Sequence, residues 1–297
     1  MTSHQFALIE APSNLGLKPQ KPNQQPGVRR MPDALKQTGI MSGLKVKQSV
    51  RVEAPAYQPE RDSVTGVRNI NTLPDYSIKL ATAIGQALDA SNFPIVLGGD
   101  CSILLGSTLA LRERGRYGLI FMDGHCDFLT PTSTGTGGAA GMDLALVCGV
   151  GPSKLTDLKG LSPLVRTTDV VILANRDIDE DSDYEEPAFI DAHIKRIGLQ
   201  NLRELGIAQA VEEAINHLAQ NNVQGFWIHV DVDVLDSAIM PAVDSPMPDG
   251  LSYDELSHLL EALVSSKLAV GIQFTIFDPD LDPDGHLAKA LVAAIVK

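Results

Sequence analysis

The stretch FPIVLGGDCSILLGSTLALRERGRYGLIFMDGHCDF, residues 93–128, holds a complete strand–helix–strand unit. Phe93–Leu97 is a short apolar run stopped by Gly98 and Gly99. Ile103–Arg114 fits a helix, and Tyr117–Met122 is a second apolar run. Strands that are apolar on both faces, joined through a helix, predict a parallel pair covered on both sides. The same alternation extends outward. Strands are expected at Gln5–Glu10, Lys45–Val52, Val170–Leu173, Gly225–Val230 and Val270–Ile276. Helices are expected at Pro32–Thr38, Val211–Leu218, Tyr253–Val264 and Leu287–Val296, and from Asp75, where Ile78, Leu80, Ala81, Ile84, Ala87 and Leu88 repeat at helical spacing. Ser252 followed by Glu255 is a capping box ahead of the third of these. The expectation is a three-layer α/β/α fold with a mostly parallel sheet, forming one domain over residues 1–297.

The chain carries a net charge of −13 and has no basic block. Nucleic acid and anionic membranes therefore have nothing to bind. Three cysteines, Cys101, Cys126 and Cys148, do not form a disulfide framework. The start MTSHQFALIEAP lacks a basic region followed by an apolar run, and no stretch is long and apolar enough for a membrane helix. These features point to a reduced, cytoplasmic protein with a small-molecule substrate.

In parallel sheets, ligands bind at the carboxyl ends of the strands. Three runs there carry unusual chemistry: Gly98-Gly99-Asp100-Cys101-Ser102, Asp123-Gly124-His125-Cys126-Asp127 and His229-Val230-Asp231-Val232-Asp233-Val234-Leu235-Asp236. Extended chain places Asp123, His125 and Asp127 on one side, and His229, Asp231 and Asp233 on one side. Carboxylates converging at adjacent strand ends are too costly as bare charges, and a divalent metal supplies the missing counter-charge. Oxygen-rich sites with an imidazole suit Mn²⁺.

These three runs resemble the signature motifs of the ureohydrolase superfamily, the arginases, agmatinases and formiminoglutamases: Gly-Gly-Asp-His-Ser, Asp-Ala-His-x-Asp, and Ser/His-x-Asp-x-Asp-x-x-Asp-Pro followed by Pro-Ala. The third motif continues as Asp236-Ser237 and then Pro241-Ala242-Val243. Weaker echoes are Gly27-Val28 with Pro32 and Leu35, Arg176-Asp177-Ile178-Asp179, and Phe277-Asp278-Pro279. The resemblance implies an arginase-like fold and two Mn²⁺ ions that activate water against a guanidinium-type carbon. By matching position, Asp123 and Asp231 would serve both metals, Asp127 one, and His125 and Asp233 the other. Asp100 and Asp236 would fix turns and orient ligands, and Asp179 would contact a substrate amino group. A trimer or hexamer is the implied assembly.

The sequence departs from that pattern at specific points. Cys101 stands where the family has a metal-binding histidine. As a thiolate it would ligate and favour Zn²⁺ or Fe²⁺ over Mn²⁺; otherwise it is a packed thiol. Ala140 falls where the family has a proton-relay histidine, in a Gly- and Thr-rich loop that reads as a lid or as simply flexible. Ile276 falls where a glutamate pairs with the substrate guanidinium, and an apolar side chain cannot balance that charge. His229 is read as an acid–base group or a metal neighbour, and Cys126 as a packing residue. The expected function is metal-dependent hydrolysis of a non-peptide C–N bond in a guanidino, amidino or formimino substrate other than arginine. The alternative is a relative that keeps the fold, has lost efficient catalysis, and serves as a binding or regulatory subunit.

Overall fold

Eight strands form one sheet: β1 (Phe6–Glu10), β2 (Ser49–Arg51), β3 (Phe93–Leu97), β4 (Gly118–Met122), β5 (Val170–Leu173), β6 (Lys195–Ile197), β7 (Phe226–Asp231) and β8 (Ala269–Thr275). Their order is β2-β1-β3-β8-β7-β4-β5-β6, and every pairing is parallel. This computed structural model describes residues 5–21, 24–176 and 187–297.

Side-chain alternation divides the interior into two cores. In β4, Ile120 and Met122 enter one core, and Leu119 and Phe121 the other. In β7, Phe226, Ile228 and Val230 enter the first and Trp227 the second. Helices Met31–Gln37, Ile207–Gln220, Tyr253–Val264 and His286–Ile295 cover the first face, and Leu73–Asp89, Leu104–Arg112 and Asp143–Val147 cover the second. This is the three-layer arrangement expected from the sequence, with the sheet wholly parallel.

Several expected elements shrink or shift. The strand expected over Lys45–Val52 is only Ser49–Arg51, an exposed edge that stops once its pairing with Leu8–Glu10 ends. The other edge, Lys195–Ile197, is three residues long and two of them are charged, so it carries no apolar run to read. The capping box at Ser252 is present, with both reciprocal hydrogen bonds formed. Among the described residues no helix is long and apolar enough to cross a membrane.

One charged cluster ties the amino-terminal edge together. Glu10, 2% exposed, accepts hydrogen bonds from Lys36 Nζ (2.7 Å), Ser49 Oγ (2.5 Å) and Arg51 Nη1 (2.7 Å). Burial alone would raise its pKa, but these three donors outweigh burial and hold it below the ordinary glutamate range. A carboxylate with a depressed folded-state pKa contributes stability above its unfolded pKa and loses it as pH falls through the folded value. Glu10→Gln should therefore cost roughly 2 kcal/mol at neutral pH, the usual worth of a charged hydrogen-bond network. Denaturant titration should show that cost vanish below the acidic pKa range; a cost that persists in acid would contradict this role.

Candidate metal centre

The carboxyl ends of β3, β4, β7 and β8 meet in one place. Tight backbone contact makes this possible. A Cβ at Gly99 would lie 1.7 Å from Ser13 O, so only glycine allows the turn after β3 to pack there. That turn is then fixed by Asp100, which accepts from Ser13 Oγ (2.7 Å) and from the Ser102 N–H (2.9 Å). Asp100 is thus spent on the turn, as the sequence implied.

β4 stops at Met122, so Asp123, Gly124 and His125 lie in a bend instead of an extended strand. Asp123 Oδ1 accepts from the backbone N–H of His125 (2.7 Å), which curls the chain around its own carboxylate. β7 stops at Asp231, and Val232–Val234 is a 3-10 turn capped by Asp231 Oδ1 accepting from the Asp233 N–H (2.8 Å). Strict alternation therefore does not place Asp233 or His125. These turns do, and both residues still reach the site. Arg176 holds the second turn by donating to the carbonyls of Asp233 (2.6 Å) and Val234 (2.9 Å).

Three clusters of potential ligand atoms result, each with its atoms within 4.8 Å of one another: Asp123, His125 and Asp233; Cys101, Asp123 and Asp231; and Cys101, Asp143 and His229. Of the residues proposed from the sequence, the structure brings together Cys101, Asp123, His125, His229, Asp231 and Asp233. Asp127 stands outside these clusters, half-buried and with a positive φ of 43°. Asp179 lies outside the described residues. Asp143, which no motif flagged, joins the centre from the start of helix Asp143–Val147. Its position after Ala140-Gly141-Met142 gives no local signal beyond an acidic residue in an otherwise apolar helix.

His125 Nδ1 lies 2.9 Å from Asp233 Oδ2 and 3.6 Å from Asp123 Oδ1. Burial disfavours its charged form, but the two carboxylates outweigh burial and raise its pKa far above the ordinary imidazole range. Cys101 Sγ donates to Asp231 Oδ2 (2.8 Å) and touches Thr275 Oγ1 (2.9 Å). Burial first, then Asp231 and Asp143, push this thiol well up, so in the metal-free centre it keeps its proton. Burial and neighbouring carboxylates likewise raise Asp143 and Asp231. Even so, several fully buried polar atoms have no hydrogen-bond partner: Asp123 Oδ2, both carboxyl oxygens of Asp143, and His229 Nε2. Such orphans are costly, and a divalent cation is what oxygen- and sulfur-rich groups of this kind lack. The donor set fits metal binding.

His229 belongs to a separate chain of contacts. The Trp227 indole lies over Gly271, where a Cβ would sit 2.1 Å from the ring. From there its N–H donates to Gln273 Oε1 (3.0 Å), and Gln273 Nε2 meets His229 Nδ1 (2.7 Å). An indole only donates, so it fixes which end of the Gln273 amide faces the histidine. The amide nitrogen therefore donates to Nδ1, and the His229 proton sits on Nε2. His229 stacks on Phe121 (centroids 4.7 Å apart) and aims Nε2 at Asp123 Oδ2 and Asp143 Oδ2, 3.9 Å from each.

The two other departures are equally plain in three dimensions. Ile276 is buried with φ 75°, its N–H donating to Gly99 O (2.7 Å), and Thr275 and Phe277 flank it. No carboxylate comes from this segment of β8. The Gly- and Thr-rich loop before Ala140 is strapped down: Arg61 donates to the carbonyls of Thr134 and Thr136 (3.4 and 3.2 Å), Arg68 Nε to Thr136 O (2.9 Å), and the Ala140 N–H to Gly16 O (3.1 Å). These straps argue for a fixed wall over a moving lid. Arg61→Ala should speed amide exchange across residues 134–138 by about tenfold or more while leaving the sheet protected. Unchanged exchange there would show that Arg61 does not hold the loop.

An all-parallel sheet with a carboxylate-lined centre at its carboxyl edge defines an arginase-like α/β metallohydrolase class. The family model for the Arginase family matches residues 4–297, and the chain belongs to that family. An arginase of Staphylococcus aureus (strain COL) is 30% identical over 297 residues, covering 97% of this chain and 94% of its own. The solved Bacillus caldovelox arginase superposes with TM-score 0.87 at 26% identity, over 99% of this chain and 97% of that one. The formimidoylglutamase of Bacillus subtilis subsp. subtilis str. 168 shares the fold, with TM-score 0.70 at 19% identity over 100% and 85% of the two chains. Arginase-family proteins are hydrolases of C–N bonds, and this chain is one of them.

Proposed function

We propose that the chain hydrolyses a C–N bond of a guanidino, amidino or formimino compound other than arginine, using divalent metal held by Cys101, Asp123, His125, Asp127, Asp231 and Asp233. The observation that carries the metal is the clustering of buried ligand atoms around Asp123, whose Oδ2 has no hydrogen-bond partner among the described residues. Ions bound there supply counter-charge to the carboxylates and acidify water for attack on the substrate carbon. The chain's own residues do the rest. Asp123 faces both halves of the centre, because it lies close to Cys101 and Asp231 on one side and to His125 and Asp233 on the other, and Asp231 faces the Cys101 half. Arg176 and the Asp231 cap hold Asp233 in place. His229 keeps a proton on Nε2, directed at the centre, and serves there as a hydrogen-bond donor.

Ile276 supports the exclusion of arginine, because a guanidinium entering here meets a buried apolar side chain at that point. The S. aureus and B. caldovelox relatives are named arginases, so arginine is the competing substrate. Two measurements decide. Purified protein assayed with arginine and with agmatine should release urea at well under about 1 per second, the lower end of ordinary turnover; faster release from either rejects the substrate reading. Asp231→Asn should lower bound metal and thermal midpoint together, because ligand binding stabilises the native state by mass action. If neither changes, the ligand assignment is wrong.

A further inference from the structure

Resting on the metal-centre reading above, we propose that Asp143 is itself a metal ligand. With Cys101 it builds a thiolate–carboxylate position, beside which His229 stands with its Nε2 3.9 Å from the carboxylate and does not coordinate.

Asp143 is fully buried, yet among the described residues neither of its oxygens has a hydrogen-bond partner. It sits at the start of a five-residue helix whose remaining residues, Leu144–Val147, are all packed in the core. A buried carboxyl with no partner costs free energy, and an apolar residue would suit this helix better. Its place is explained by what surrounds it. One oxygen lies within 4.8 Å of both Cys101 Sγ and His229 Nε2, and the Cys101 sulfur is 2.8 Å from Asp231 Oδ2. Cys101 therefore stands between Asp143 on one side and Asp231 on the other. Sulfur and carboxylate oxygen together suit a borderline ion such as Zn²⁺, Fe²⁺ or Co²⁺ better than Mn²⁺.

His229 completes the same cluster but not as a ligand. A metal-binding imidazole ordinarily donates its other N–H to an acceptor, leaving a lone pair for the metal. Here the polarity is reversed, since Gln273 donates to Nδ1 and the proton occupies Nε2. An Nε2–H aimed at Asp143 Oδ2 and Asp123 Oδ2 positions carboxylates and cannot coordinate.

The test uses the full chain stripped with a chelator and titrated with Co²⁺. It reads ions bound per chain, the near-ultraviolet thiolate-to-cobalt charge-transfer band, and the thermal midpoint with and without metal. Wild type should bind Co²⁺ and show the band. Asp143→Asn, and Asp143→Ser as a second neutral variant, should lose one ion or bind it roughly tenfold or more weakly, with the band diminished. Their chelated forms should melt no lower than chelated wild type, because an orphaned buried carboxyl has been removed. His229→Gln should retain the full ion count and the band. Wild-type cobalt binding and band intensity in both Asp143 variants would overturn the proposal. So would loss of the ion in His229→Gln as complete as in Asp143→Asn. If wild type itself takes up no cobalt, the metal-centre reading fails, and this proposal with it.

Discussion

Everything around this site answers to one constraint: too many carboxylates are buried at one edge of a sheet. Asp123, Asp143, Asp231 and Asp233 are each almost wholly removed from water, and they fall in three linked clusters that share Asp123 and Cys101. Desolvating even one ion costs several kcal/mol after relaxation, and four like charges repel. The metal-free protein offsets this only in part. His125 becomes the cation between Asp123 and Asp233, Cys101 supplies an S–H to Asp231, and the remaining carboxyls are driven toward their protonated forms. Asp123 alone stays depressed: burial would raise it, but the two histidines beside it prevail. Such an arrangement inside a well-packed core fits the cation binding proposed above.

That constraint also explains which features the sequence reveals. The strands that bear the site are mostly apolar and buried, so β3, β4, β7 and β8 were readable almost to the residue. The motifs sit where a parallel sheet must put them. Alternation grouped His125 with Asp123 and Asp233 with Asp231 for a partly wrong reason. The strands end at Met122 and Asp231, and the next residues reach the centre through turns that the carboxylates themselves cap. Asp143 was illegible because its partners come from other strands: nothing near it in the chain is charged or histidine. Gln273 and Trp227 were illegible for a similar reason. Their significance lies across the sheet, in the register that sets His229 opposite Gln273.

That register has a chemical consequence larger than its hydrogen bonds. Trp227 can reach Gln273 only because Gly271 leaves room for the ring. The indole then sets the amide, the amide sets the imidazole, and the imidazole presents N–H toward the carboxylates. Two neutral side chains, Trp227 and Gln273, thus fix the state of a third, His229, that faces the charged centre. The unpaired position of Nε2, 3.9 Å from each of two carboxylates, leaves it able to donate once those groups shift onto cations.

The departures from the family pattern form a single redistribution of charge. Cys101 in place of histidine and the added carboxyl of Asp143 both increase negative charge at the metal end of the site, whereas Ile276 removes it from the substrate end. On the proposed ligand set, the first change neutralises more of the metal's charge and leaves bound water less acidic. A less acidic water is a poorer supply of nucleophile near neutral pH but, once ionised, a stronger one. The second change removes the partner that would hold a permanently charged guanidinium. On the proposed reading, both changes move negative charge from the substrate end of the site to the metal end.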